Sequence, residues 1–97
     1  MMRIIWSPLA MERVVEYGEY IAQDNPKAAA EWVEGIIEEV ERLKDYPEQG
    51  RMVPEVKRSG VREIFFKGHR IVYRIESKHI FILTVRHTRR LLDPKEL

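Results

Sequence analysis

The 97-residue chain contains no cysteine, which excludes disulfides and thiolate metal sites and is compatible with a cytoplasmic protein. It has no apolar run approaching the roughly 20 residues that cross a bilayer, so no transmembrane helix and no membrane partner are expected. The N-terminal MMRIIWSP carries one basic residue and an apolar stretch too short for a secretory signal, so no leader is expected. Amides are scarce: Asn25 is the only asparagine and Gln23 and Gln49 the only glutamines, a depletion compatible with a thermophilic source. No glycine-rich phosphate loop, internal repeat, linker or low-complexity segment is present. The three histidines, His69, His79 and His87, are scattered over strand ends without metal-ligand spacing, so neither a metal nor another cofactor is expected.

What the chain does have is 44% hydrophobic and 34% charged residues, the balance of one folded domain over residues 1–97. Its formal net charge of +1 conceals a division. Residues 1–50 hold 5 Lys/Arg against 11 Asp/Glu, whereas residues 51–97 hold 12 against 5. A basic second half points to an anionic partner, although the two halves also neutralise each other within one fold.

Residues 3–6 (RIIW) read as a short strand. Ser7 and Pro8 then supply an N-cap and a first helical residue whose missing N–H costs nothing there. Ala10, Val14, Tyr17 and Ile21 share one face of the helix that follows, with Glu12, Glu16 and Glu19 largely opposite. Asp24 or Asn25, followed by Pro26, opens a second helix. There Ala29, Val33, Ile36, Val40 and Leu43 form a stripe that Trp32 and Ile37 broaden, and Glu31, Glu34, Glu38 and Glu41 face solvent. Tyr46-Pro47 ends it, and the short connection predicts an antiparallel helical hairpin.

Residues 48–60 read as a loop with a short extended piece at Met52-Val53. Three strands follow, at 61–67, 70–76 and 79–87, separated by tight turns at Gly68-His69 and Ser77-Lys78. Ile71, Tyr73 and Ile75 occupy one face of the second of these, and the third is apolar on both faces, as a central strand is. The order β-α-α-β-β-β predicts an α+β domain in which the helical hairpin packs on one face of an antiparallel sheet, with the first strand at an edge or beside the last.

The segments WSPLAMERVVEYGEYIAQDNP, YPEQGRMVPEV, VREIFFKGHRIVYRI and FILTVRHTRRLL, in this order and spacing, resemble the RelE/ParE superfamily of type II toxin–antitoxin toxins over nearly the whole chain. The resemblance implies a toxin neutralised by a small antitoxin in a hetero-oligomer. It also implies one of two targets: RelE-like members cut mRNA on the ribosome, whereas ParE-like members poison DNA gyrase by binding. Fold alone does not separate them.

RNA cleavage by 2′-hydroxyl attack needs a base, an acid and cations for the phosphate charge. The resemblance to RelE-like members matches Arg70 to their arginine at the start of the third strand; Arg51 and Arg86 are candidates for further positive charge, and Glu63 or His87 for the proton carrier. Two departures weaken that assignment. Arg86-His87-Thr88-Arg89-Arg90 lacks the tyrosine that several nucleolytic members place there, and the 51–60 loop holds only Lys57 and Arg58 instead of a dense lysine cluster. The string VRHTRR resembles the ParE branch, for which Arg70, Arg86, His87, Arg89 and Arg90 are the target-binding candidates.

Each candidate also has a purely structural reading. Arg70 pairs with Glu63 across neighbouring strands. His87 closes its strand through backbone hydrogen bonds, and His79, Arg89 and Arg90 are solvated. Trp32 and Tyr46 belong to core or interface. A ParE-like gyrase poison is the leading expectation and a RelE-like mRNA endonuclease the alternative, with an inactive family member acting only as a binding module behind both. The antitoxin is expected to be short, acidic in its toxin-binding part and disordered until bound.

Overall fold

The computed structural model describes residues 2–56, 58 and 60–97. Lys57, noted above in the loop, lies outside them. The elements run β1 (Arg3–Trp6), α1 (Pro8–Asp24), α2 (Pro26–Glu41), β2 (Arg51–Met52), β3 (Val61–Phe66), β4 (His69–Glu76) and β5 (His79–His87). Short 3-10 turns lie at Arg42–Lys44 and Pro94–Glu96. Ser7 Oγ accepts the Ala10 N–H and Asn25 Oδ1 the Ala28 N–H, so each Pro-led helix starts at the cap its sequence announces. Of the two cap candidates for α2, Asn25 is the one used. α2 ends at Glu41 and passes into the 3-10 turn before Tyr46-Pro47 is reached.

The sheet order is β1-β5-β4-β3-β2. β2 through β5 form antiparallel ladders, while β1 runs parallel to β5, so the sheet is mixed and the first strand is both an edge and the neighbour of the last. The tight turn between β3 and β4 is Lys67-Gly68, one residue earlier than the sequence suggested. Both residues have positive φ (41° and 81°), as a type I′ turn requires.

The helices cover one face of the sheet. Ala10, Val14, Trp32, Ile36, Val40 and Leu43 from the helical side meet Ile64, Ile71, Tyr73, Ile80, Ile82 and Val85 from the strands. Each such isoleucine, once fully buried, contributes roughly 1.5–3 kcal/mol. Ile37 does not join this core: it is 47% exposed. The opposite face is not left to solvent either. Leu92 of the C-terminal tail packs on Val53, Val61 and Val72, with Val56, Leu83 and Leu97 alongside, making a second small core that the sequence reading did not anticipate.

Between these faces lies one irregularity. The β4–β5 register steps from Tyr73↔Ile82 to Val72↔Thr84, which leaves Leu83 as an extra residue on β5. One unpaired residue in a period of two reverses the facing of everything after it. Ile80 and Ile82 point to the helices before the bulge, and Val85 and His87 do so after it. Thr84 and Arg86 are thereby sent to the tail-covered face.

Candidate functional site

The bulge distributes the candidate residues over two faces. On the tail-covered face stand Arg51, Glu63 and Arg70, brought together by the registers Arg51↔Glu63 and Glu63↔Val72. Gly50 sets the entry to β2: its N–H donates to Tyr73 Oη at 2.9 Å, and a Cβ there would lie 2.6 Å from both that oxygen and the Glu63 carbonyl oxygen. Tyr73 in turn donates to the Pro47 carbonyl at 2.7 Å, and burial pushes its phenol pKa up.

Glu63 is fully committed. Arg51 Nε donates to its Oε2 at 2.9 Å and Arg70 Nε to its Oε1 at 2.6 Å, and the residue is 1% exposed. Arg70 also makes a bidentate pair with Glu55, Nη1 to Oε2 and Nη2 to Oε1, both at 2.7 Å. The Arg70 hydrogen bonds hold the Glu55 carboxyl down at about 2 against the cost of burial, and the two carboxylates raise the already high pKa of Arg70. The Leu92 N–H donates to Glu55 as well. A cleft of about 380 Å³ opens beside this network, where the Arg51 guanidinium lies 4.9 Å from the centre of the Phe65 ring. Arg86 is on the same face, opposite Arg70, and is paired with Glu96.

On the helical face, at the end of β5, His87 meets an aromatic group. The His69 ring lies 5.3 Å from His87, 4.9 Å from Trp32 and 4.6 Å from Tyr17, each pair edge to face. The His87 N–H donates to Tyr17 Oη, and its Nδ1 accepts the Arg89 N–H, which leaves the neutral ring's proton on Nε2. His69 Nδ1 sits 3.1 Å from the Lys67 carbonyl oxygen and donates to it. Burial, and secondarily the neighbouring His87, pull the His69 pKa below its ordinary value. A surface cleft of about 660 Å³ is lined here by Glu16, Tyr17, Tyr20, Ile21, His69, His87, Arg89 and Arg90. Tyr20, Arg89 and Arg90 are exposed.

The sequence candidates therefore divide into an ion network of buried Glu63 and Arg70 with exposed Arg51 at its rim, a separately paired cation (Arg86) and an open aromatic–basic cleft (His87, Arg89, Arg90). Sequence reasoning missed His69, which had been placed in a turn. Its spacing of two and four from Ile71 and Tyr73 was the available signal, because alternate residues of a strand share a face. It also missed Glu55 and Glu96, for which the local sequence carries no signal. Trp32 is core, and Tyr46 is exposed. Among the described residues no three His, Asp or Glu side chains group as metal ligands would, and no helix is long and apolar enough to cross a membrane.

Residues 4–92 match the family described as the ParE toxin of the type II toxin–antitoxin system parDE. The chain is 39% identical over 87 residues to the Sinorhizobium fredii protein named "Putative toxin Y4kP", covering 88% of this chain and 86% of that one. Among solved structures, the chromosomal ParDE TA system from P. aeruginosa superposes with a TM-score of 0.75 at 26% identity, covering 92% of this chain and 98% of that one. The YoeB-YefM complex from Staphylococcus aureus shares the fold, with a TM-score of 0.51 at 24% identity, covering 90% of this chain and 97% of that one.

Proposed function

Because the chain belongs to the ParE toxin family of type II toxin–antitoxin systems, we propose that it inhibits DNA gyrase by binding, without catalysing a reaction, and that a cognate antitoxin neutralises it. The observation that carries this reading is the division made at Leu83. The RelE-like nucleolytic site expected from the sequence needs its base beside the phosphate-binding Arg51, Arg70 and Arg86. Here His87 faces the helices, while Arg51, Arg70 and Arg86 face the tail. Glu63, the other candidate base, has both oxygens occupied by guanidinium groups and almost no exposure.

Target contact is assigned to the aromatic–basic cleft, where Arg89 and Arg90 project beside His87, Tyr17 and Tyr20. An exposed tyrosine and two exposed arginines suit a protein surface, since these side chains dominate interface energetics. For the antitoxin, the helical side offers an apolar groove of about 280 Å³ between Trp6, Met11, Val14, Val15 and Ile37. Met11 and Val15 are both 57% exposed, as an unpartnered helix-docking face would be.

The deciding experiment compares purified chain in a gyrase supercoiling assay and in a ribosome-dependent mRNA cleavage assay. Inhibited supercoiling with intact mRNA is the expected result. Cleaved mRNA would establish the RelE-like endonuclease in its place, and inactivity in both assays an inert family member.

A further inference from the structure

The C-terminal residues return across the face of the sheet that the helices leave open. Leu92 and Leu97 lie on an apolar strip that includes Val61, Val72 and Leu83, and Glu96 ends in a pocket of donors. Thr84 Oγ1 donates to Glu96 Oε1 at 2.7 Å, while Arg86 Nη2 and Arg13 Nη2 approach Oε2 at 2.5 and 3.3 Å. These donors come from α1 and β5, far apart in sequence, and Thr84 is fully buried. The Nε atoms of Arg13 and Arg86 are also buried, and neither has a hydrogen-bond partner among the described residues. Two guanidinium groups and a hydroxyl offer more donors than one carboxylate uses. The fold has therefore built an oxyanion site, and the chain's own tail fills it.

We propose that Glu96 is an internal stand-in: Arg13, Thr84 and Arg86, with the adjoining Val61–Val72–Leu83 strip, form a docking groove for an acidic, leucine-bearing segment of the antitoxin. In the free protein residues 92–97 close that groove. The proposal rests on the reading above that an antitoxin binds this chain. The tail itself defines the chemistry that fits, because its Leu92 and Leu97 lie on the apolar strip and its Glu96 carboxylate takes the donors. Arginine matches a planar carboxylate with paired N–H groups, and the apolar strip beside it favours a peptide over a nucleic-acid backbone. Closure protects the two arginines from standing desolvated and uncompensated before the partner arrives.

The test uses a fluorescent peptide of sequence LLDPKEL against three full-length forms: wild type, Glu96→Gln, and Glu96→Gln with Leu92→Ala. The tethered tail competes at an effective concentration in the mM range, so weakening it is expected to lower the peptide's Kd by roughly tenfold or more. Arg86→Ala in the weakened background should abolish that gain, and the cognate antitoxin should compete with the peptide. Glu96→Gln is the fallback should the double variant fold poorly. Equal or absent peptide binding across folded variants would overturn the proposal, as would a single-stranded oligonucleotide binding the opened groove in the peptide's place. An antitoxin that binds tightly without competing would overturn the groove assignment and leave the toxin–antitoxin reading intact. An antitoxin that does not bind at all would remove both.

Discussion

The Ser7 hydroxyl donates a 2.8 Å hydrogen bond to the carbonyl oxygen of Leu83, the extra residue of the β5 bulge, while Ser7 Oγ itself accepts the N–H of Ala10. One side chain thus caps α1 and pins the bulge. The Ser7 N–H adds a second tie, donating to the Ile82 carbonyl oxygen at 2.9 Å. Since the bulge decides which face receives Arg86 and which receives His87, the start of the first helix and the layout of the far end of β5 are mechanically joined.

Ser7→Ala removes the cap and the side-chain tie together. A lost N-cap costs about 0.5–2 kcal/mol and an unsatisfied, partly buried carbonyl adds about 1 kcal/mol. At about 4–8 °C per kcal/mol for a chain of this size, thermal unfolding should shift down by roughly 6–24 °C. Amide chemical shifts of Leu83 to His87 should move more than those of β3. A variant whose melting point and β5 shifts both stay put would show that the bulge is held by its strand neighbours alone.

His69 makes stability depend on pH. Burial lowers its pKa in the folded state below the ordinary 6.5, so the unfolded chain binds the proton more readily. The favourable contribution is complete above pH 6.5 and is lost as pH falls from there toward the lowered folded value. Groups facing the ring or its cleft are His87, Tyr17, Glu16, Arg89 and Arg90. Melting temperature should be flat above about pH 7 and decline below 6.5, and His69→Phe should flatten that decline. A separate loss follows at lower pH: Glu55 titrates at about 2 when folded against 4.5, so its contribution fades between those values. An unchanged slope between pH 7 and 5 in His69→Phe would assign the effect to another group.

Arg70→Ala should damage the fold before it reveals anything about activity. It would leave Glu63 buried with only Arg51, and Glu55 without its bidentate partner. Breaking a buried pair in this way costs about 3–5 kcal/mol, a large part of a small domain's stability. Urea unfolding of the variant should show that loss, and loss of toxicity should track the unfolded fraction. A variant that keeps its wild-type midpoint and loses only activity would make Arg70 a functional contact.

The sequence made the helices legible because Ser7-Pro8 and Asn25-Pro26 are local signals, complete within four residues. The interior place of β5, between β1 and β4, was legible from apolar residues on both of its faces. That same uniformity hid the bulge: in the run from Ile80 to Val85 every residue suits either face, so nothing marks where the phase reverses. The division of Arg86 from His87 follows from that reversal and could not be read. The Arg70–Glu63 pair was legible because adjacent strands place it. Glu55 and Glu96 come from loop and tail, and their pairing with Arg70, Arg13 and Arg86 depends on tertiary closure over 10 to 83 positions.

Arg89 and Arg90 offer the cleanest functional test, because both are exposed and neither side chain makes an ion pair among those described. Surface changes of this kind alter stability by no more than about 0.5 kcal/mol, so Arg89→Ala with Arg90→Ala should melt like the wild type. If the cleft beside His87 binds gyrase, the concentration needed to inhibit supercoiling should rise by about tenfold or more, the effect of losing roughly 1.4 kcal/mol of binding energy. Removing rim charges should also reduce the salt sensitivity of association, since exposed charges act mainly by steering the encounter and are screened at high ionic strength. Tyr20→Ala, on the same cleft, should weaken inhibition without changing the salt slope. Full inhibition by the double arginine variant would move the target contact off this segment, and the apolar groove around Met11 and Ile37 would be the next surface to mutate.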